Sequence, residues 1–516
     1  MIPFPNTLDE LPRRHARDRP DGIAVICREH PLTYRELDRR ASQVANGLIS
    51  WGTVPGARVA YLGRNSESYF EVLLGAVRAR CALVPLNWRL ATPEVDSILR
   101  DARPDLIVAE PEFLPVLAAL ESRPRTLVAG GAGAVDDYAA WRGQQADADP
   151  QLTQSADDTV LIMYTSGTTG LPKGVQLSNR NLMSHLRFLE AGAFGPWTAQ
   201  DIQLVCLPTF HIGGTDSGLW SFYTGSTVLL LTDANTDTVV DAFARHRVTV
   251  AGFVPTIMRA VLADPGTARL DFSTLKLVSY GGSPISPELM VQARAVFGCR
   301  FQQLFGMTET TGGVSILTDE DHCKADGNLL RSCGRSLPLV EIRIVDEEGR
   351  ERPRGTAGEI AVRGSVVTRG YWQRPDETAK ALREGWFHTG DVGTMDAAGY
   401  LYIHDRIKDM IVSGGENVYP TEVENALALH DAVAECAVIG VPDSRWGEAV
   451  KAFVVLREGR DVSERALLAF ARTRIAAYKC PKSIELVAGL PRNAAGKLLR
   501  RELRKAFWGD AKRQVS

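Results

Sequence analysis

The eight cysteines are scattered along the chain, and none stands in a C-x-x-C pair or beside a histidine tract. That spacing argues against a zinc ribbon or a disulfide framework and predicts buried, reduced thiols in a cytoplasmic protein. Hydrophobic runs of bilayer length are also missing. Residues 1–20 mix acids with bases around no apolar core, so neither a membrane span nor a secretory leader is expected. Excess positive charge is missing too: the formal net charge is −3, with both signs interspersed. A nucleic-acid partner normally needs a basic face to displace counterions, so that class drops out. No internal repeat or low-complexity stretch appears, although 130–133 and 144–157 look like surface loops.

What remains is an ordinary globular composition, 45% hydrophobic and 23% charged over 516 residues. Such a length predicts two or more hydrophobic cores. From about residue 158, short apolar strands alternate with amphipathic helices. Residues 160–164, 227–231, 249–254, 275–280 and 300–304 read as strands, and 239–246, 256–262 and 288–297 as helices. Ser178 reads as the N-cap of another helix, running through Leu182 and Leu189. This alternation builds a doubly wound, mostly parallel sheet with its ligand site at the carboxyl ends of the strands. After Ser332 the texture changes. Residues 341–345 and 359–362 read as exposed strands with turns between them, which predicts a β-rich subdomain over about 332–405. An α+β pattern follows, with helices at 422–429 and 464–475 and strands at 433–441 and 450–455. The expected fold class is α/β, with a large N-terminal domain over 1–405 and a small C-terminal domain over 406–516.

The strongest local signal runs from Tyr164 to Gly174. Thr165, Ser166, Thr168 and Thr169 supply hydroxyls, Gly167 and Gly170 allow tight turns that present backbone N–H groups, and Lys173 adds a charge. A polyphosphate is the natural guest. The loop is not a Walker A motif, which needs Lys-Ser/Thr directly after its last glycine. A solvated linker would have the same composition, but this loop follows an apolar strand and precedes a capped helix.

The string closely resembles the signature loop of the acyl-adenylate-forming superfamily: acyl-CoA synthetases, nonribosomal peptide synthetase adenylation domains and beetle luciferases. The resemblance covers most of the chain, in the family's order, and is strongest to bacterial fatty-acyl-CoA and aryl-CoA ligases. Leu32-Thr33-Tyr34 and Pro85-Leu86-Asn87 look like early family segments. Leu207 to His211 looks like the segment whose histidine lies beside the acyl pocket. Gly281-Gly282-Ser283-Pro284 resembles the adenine-contacting turn, and Phe305-Gly306-Met307-Thr308-Glu309 the motif that holds α-phosphate and Mg²⁺. Thr389-Gly390-Asp391 resembles the ribose-binding motif, Asp405 to Lys408 the hinge, and Pro491 to Lys497 the C-terminal lysine loop.

The resemblance implies ATP-dependent activation of a carboxylic acid to acyl-AMP, then transfer to coenzyme A. It implies Thr308 on the α-phosphate, Glu309 as Mg²⁺ ligand and Lys497 as the cation beside the reacting oxygens. Asp391, assisted by Arg406, would hold ribose. Phe305 stands where the family often has tyrosine, so stacking on adenine is kept while a hydroxyl contact is lost. Lys408 would be the pivot of a rotating C-terminal domain, and Gly414 and Gly415 would line the pantetheine tunnel. Phe210, His211, Gly213, Trp220, Gly312 and Gly313 are the expected acyl-pocket residues, with Phe253 and Val314 as further candidate walls. Amino-acid-activating relatives grip the α-amine with an aspartate in a Phe-Asp-x-Ser segment. Asp216 offers the aspartate without those flanks, which disfavours an amino acid.

Bland readings stand beside these. Glu309 could be a helix N-terminal acid, Asp391 a turn residue, Lys497 a solvated charge and His211 a satisfied core residue. The expected cofactors are ATP, Mg²⁺ and CoA as co-substrate. The expected partners are the acid, ATP and CoA, with a homodimer left open. A stand-alone adenylating enzyme that loads a carrier protein is the alternative, and a non-catalytic nucleotide-binding relative the third reading.

Overall fold

The computed structural model of the chain describes residues 5–120, 124–131, 136–165, 172–283, 285–324, 329–406, 409–413, 416–443, 445–492 and 498–508, with backbone only at 405–406 and 416–417. It divides into two compact units. One comprises Met1–Ile342 with Val362–Phe387, and the other Arg343–Ala361 with His388–Ser516.

The first unit is built on two sheets. The smaller runs in the order Arg125–Val128, Leu106–Ala109, Arg58–Leu62, Ala82–Pro85, Thr159–Thr165, Lys173–Ser178. Its strands are parallel up to the last pair, which is antiparallel. The larger sheet has a parallel centre of Arg300–Met307, Leu277–Gly281, Val250–Phe253, Ile202–Val205, Thr227–Leu230 and Ile23–Cys27. Antiparallel strands close it at both edges: Gly312–Leu317 with Arg335–Ser336 on one side and His30–Thr33 on the other. Fully buried Leu204, Ala251, Val278 and Phe301 make these strands the floor of one core, and Ala60, Val84, Ile107 and Ile162 do the same for the smaller sheet.

Local sequence explains the helices. Thr33 and Glu36 form a reciprocal capping box that starts Tyr34–Ser50, whose apolar stripe of Leu37, Ala41, Val44 and Leu48 is buried. Ser178 caps Asn179–Leu186 as expected, but the regular helix ends at Leu186, short of Leu189. The helix expected at 464–475 likewise stops at Arg472.

The second unit holds Leu401–Arg406 antiparallel to the stretch from Asp391 to Met395, and a sheet ordered Glu416–Val418, Ile411–Ser413, Gly447–Leu456, Val433–Asp443, with Ser483–Leu486 parallel to Gly447–Leu456. Its core joins Ile411, Val418, Val423, Leu427, Val438 and Val450.

Two expectations are corrected. Strand Gly358–Gly364 is not exposed, because successive Ile360, Ala361 and Val362 are all fully buried, as in a strand covered on both faces. The cysteines are all free thiols, but Cys323 is exposed and Cys299 and Cys436 are only partly covered. Among the described residues, no helix is long and apolar enough to cross a membrane.

Candidate functional site

Four of the glycine- and hydroxyl-rich segments begin where strands of the first unit end. The phosphate-loop segment follows Thr165, Leu207–His211 follows Val205 closely, Gly282-Ser283 follows Gly281, and Thr308-Glu309 follows Met307. This is where a parallel sheet places ligands. Ser166, Gly167, Thr168 and Thr169 lie outside the described residues, so their part in phosphate binding stays an expectation from the sequence.

The arms of that loop are well anchored. Thr165 pairs with Lys173 across an antiparallel hairpin, and Trp372 N–H donates to the Gly174 carbonyl at 2.7 Å. A side chain at Gly174 would meet Ile162 at 2.8 Å and Tyr164 at 3.0 Å, so the hairpin closes only with glycine there. Tyr164 Oη donates to Asp101 Oδ2 at 2.6 Å, and Arg374 holds the other oxygen of Asp101 at 2.6 Å. Lys173 forms an ion pair with Glu377, and its ammonium lies 5.2 Å from the centre of the Tyr371 ring. The cation beside it holds the Glu377 carboxyl below its usual range.

Tyr371 ties this cation to the second motif. Its hydroxyl donates to Glu309 Oε1 at 3.1 Å, and Thr368 N–H donates to the Glu309 carbonyl at 2.8 Å. Burial first, and then the charge of Glu309, raise the phenol pKa, so Tyr371 keeps its proton. Thr308 and Glu309 occupy a single turn of 3₁₀ helix, whose start is closed by Met307 N–H donating to Thr310 Oγ1 at 3.0 Å. A side chain at Gly306 would sit 1.7 Å from the Gly312 carbonyl oxygen, and a bulge falls between Phe305 and Gly306. The backbones of the motif and of the next strand therefore touch. A side chain at Gly281 would sit 2.4 Å from the Leu304 carbonyl oxygen, Gly282 has φ +78°, and Ser283 is exposed.

The residues expected around the acyl group cluster at the start of another helix and along strand Gly312–Leu317. Helix Ile212–Thr224 begins directly after His211. Gly214 has no room for a side chain, since a Cβ would lie 2.2 Å from the Pro208 carbonyl, whereas Gly213 meets only Leu207 at 3.4 Å. Phe210 is buried against His211, ring centres 4.6 Å apart. His211 Nε2 is buried and finds no hydrogen-bond partner among the described residues. Burial, with help from Arg89, lowers its pKa to about 4, so the ring is neutral near pH 7. Trp220 is buried, stacked against Phe194 with ring centres 4.1 Å apart, and donates Nε1–H to Asp216 Oδ1 at 2.9 Å. Phe253 lies in the core between Phe243 and Phe297. Gly312 has φ +110° and borders His185 and Asp216, and Gly313 is buried beside Leu304.

The ribose motif belongs to the second unit. Asp391 is buried, and its N–H donates to Thr389 Oγ1 at 3.1 Å. Gly390 N–H donates to Glu359 Oε1 at 3.0 Å, and His388 meets the other oxygen at 2.7 Å, so the turn is rigid. Antiparallel register sets Arg406 directly across from Asp391. Lys408, Gly414, Gly415 and Lys497 lie outside the described residues.

Sequence reading did not single out Tyr371, Glu377 or His185. An aromatic hydroxyl in the Gly370-Tyr371-Trp372 run was the available signal for Tyr371. Glu377 and His185 carry none that distinguishes them from surface and core residues.

Two family models match the chain: AMP-binding enzyme over residues 12–372 and AMP-binding enzyme C-terminal domain over residues 422–497. The fatty acid–[acyl-carrier-protein] ligase ScoC of Streptomyces coeruleorubidus is 42% identical, covering 99% of this chain and 98% of its own. A feruloyl-CoA synthase of an Amycolatopsis species is 40% identical, covering 97% and 99%. ATP-bound MatB from Rhodopseudomonas palustris superposes with a TM-score of 0.89 at 31% identity, covering 98% of this chain and all of that one. With hairpin, Glu309 turn and strand order in place, these matches assign the chain to the AMP-binding enzymes of the acyl-adenylate-forming superfamily.

Proposed function

We infer that this chain activates a carboxylic acid with ATP, releasing pyrophosphate, and transfers the acyl group from acyl-AMP to coenzyme A. The observation that carries the reading is the chain of contacts from Lys173 through Tyr371 to Glu309 at the carboxyl ends of the strands. In the first step a carboxylate oxygen attacks the α-phosphorus and the bond to pyrophosphate breaks. Two anions must meet, so the protein's task is to neutralise charge and hold the groups in line. Lys173 supplies a cation at the loop's end, and Thr308 offers a hydroxyl to the α-phosphate. Lys497 is assigned the cation at the reacting oxygens.

Glu309 suits Mg²⁺. It is a hard oxygen donor on the turn that directly follows strand Arg300–Met307. A cation held by one or two carboxylates and substrate phosphates is the Mg²⁺ pattern. When bound, the ion would screen phosphate charge. Asp391 is assigned the ribose hydroxyls, with Arg406 across the ladder. In the second step the thiol of CoA attacks the acyl carbonyl carbon and AMP leaves. Lys408 is assigned the pivot of a C-terminal domain rotation between the steps, and Gly414 and Gly415 the passage of the thiol arm. The domain division at 405–408 belongs to this proposal.

The acceptor has a second reading, favoured by the 42% identity to a ligase that loads an acyl carrier protein. One experiment decides both points. A panel of fatty and aryl acids is assayed for acid-dependent AMP formation with no acceptor, with CoA and with a phosphopantetheinylated carrier protein. Turnover with CoA supports the first reading, turnover with carrier protein alone supports the second, and no acid-dependent AMP formation refutes both. Light scattering on the same sample decides between monomer and homodimer.

A further inference from the structure

Asp216 lies in the first unit, five residues beyond His211 on the helix that the reading above places beside the acyl group. At about 1.5 Å per residue that is more than a turn deeper along the helix. Both of its oxygens are fixed. His185 Nε2 lies 3.0 Å from Oδ2, and Trp220 Nε1–H donates to Oδ1 at 2.9 Å. His185 is fully buried, and its other nitrogen, Nδ1, has no partner among the described residues. Phe188 and Trp220 flank the imidazole, ring centres 5.2 and 5.6 Å away.

The pair is not sealed off. The Asp216 side chain keeps 12% of its exposure, although Thr215 before it and its partner Trp220 are buried. The pair borders Gly312, three residues past Glu309. A Cβ built there would come 3.1 Å from His185 Cε1 and 3.6 Å from Asp216 Oδ2, at a φ of +110° that side chains avoid. The carboxylate therefore lies close to strand Gly312–Leu317, which follows the Glu309 turn. A carboxylate has about four lone-pair directions and two are taken, so it can accept again. A plain hydrocarbon chain would instead cover a charged oxygen and give nothing back.

Resting on the reading that this helix borders the acyl group, we propose that Asp216, held by His185 and Trp220, recognises a hydrogen-bond donor on the acid. The substrate is then a carboxylic acid with a hydroxyl or amino group at the end remote from its carboxyl. This differs from a grip on an α-amine, because the group contacted lies more than a helical turn from the reacting carbon. His185 and Trp220 are positioning residues: they fix the rotamer of Asp216 and leave it lone pairs with which to accept.

The test uses matched acids in the adenylation half-reaction, read as acid-dependent pyrophosphate release without any acceptor. Cinnamate is compared with its para-hydroxy and para-amino forms, and a medium-chain alkanoate with its omega-hydroxy form. In at least one series the wild-type enzyme should prefer a donor-bearing acid by about 10–10²-fold in kcat/KM, as expected when a buried polar group would otherwise go unpaired. Whether the hydroxyl or the amine leads tells the two donors apart. In Asp216→Asn, of nearly the same volume, the ratio should fall to within about threefold, with melting followed alongside. Wild-type ratios near one in both series overturn the proposal while leaving the ligase reading intact. So does an Asp216→Asn variant that loses both acids equally, which would mark Asp216 as a clamp between helices. If the variant does not fold, the wild-type ratios alone decide. Pyrophosphate release with no acid at all would instead sink the ligase reading, and this one with it.

Discussion

The proposed nucleotide side and the proposed acyl side of the first unit are built on opposite plans. On the nucleotide side the groups are partly buried and paired side chain to side chain: Lys173 with Glu377, Glu309 with Tyr371. On the acyl side the polar atoms are buried, and several have one partner fewer than they can take, among them His211 Nε2 and His185 Nδ1. Charged groups near water can swing onto an incoming phosphate at little cost. Buried polar groups cannot, since each unmet hydrogen bond costs about 1–3 kcal/mol. The first plan suits a ligand common to every member of the family, and the second suits discrimination among acids.

The sharpest break in that comparison is expected at Lys497. In Lys497→Ala, acyl-adenylate formation should fall by about 10²–10³-fold, the usual loss when one preorganised donor leaves a site where charge develops. Conversion of supplied acyl-adenylate and CoA to acyl-CoA should be largely spared, because the proposed rotation carries residues 491–497 away. Single-turnover assays of the two halves, with a melting curve, read this directly. Equal loss in both halves with an intact fold would falsify the rotation and make Lys497 a general phosphate ligand.

Acid should damage the scaffold of the acyl side. His15 is 7% exposed and touches the far end of the same helix, where a side chain at Gly225 would lie 2.7 Å from its ring. Burial, then Arg14, lowers its pKa from 6.5 to about 4. The sign follows from proton counts. Between pH 6.5 and about 4 the unfolded chain binds a proton that the folded chain refuses, so stability rises with pH across that window and falls on acidification. At 1.36 kcal/mol per unit the loss is on the order of 3 kcal/mol by pH 4. Urea melts of wild type and His15→Gln from pH 7 to 4 should show a shallower decline in the variant. Identical slopes would assign the acid sensitivity elsewhere.

Much of the nucleotide side was legible in the sequence because its parts are contiguous strings. A glycine-rich turn between two strands, or Thr308-Glu309 after an apolar strand, carries its own geometry. The links between the strings were not legible. Tyr371 reaches Glu309 across 62 residues, Lys173 reaches Glu377 across 204, and His185 reaches Asp216 across 31. Those contacts exist only because the segment Thr368 to Trp372 bonds to the phosphate-loop hairpin and two helices pack side by side. The strand–helix order from residue 227 to 304 was read for the same local reasons, whereas strand Ile202–Val205 and helix Ile212–Thr224 were not. Strand Gly358–Gly364 was misread as exposed because its flanking glutamate and arginine hid three successive buried residues.

Tyr371→Phe is the smallest expected effect and the one that tests whether the two sides are separate. The ring that stands under the Lys173 ammonium remains in the variant, so the cation keeps its seat. Only the hydroxyl that donates to Glu309 Oε1 is lost. Hydrogen bonds to charged groups contribute about 1.5–3 kcal/mol when water cannot replace them. Here both residues are half-exposed, and water can take part of the vacated place. The net loss should be nearer 1 kcal/mol, about five- to tenfold. It should appear as a higher KM for ATP and a higher Mg²⁺ requirement, since a less constrained Glu309 offers its oxygen less often in the right direction. The KM for the acid should stay within twofold of wild type. Should acid and ATP dependence shift together, Tyr371 would be holding the whole first unit in shape, and the separation of nucleotide and acyl sides would not stand.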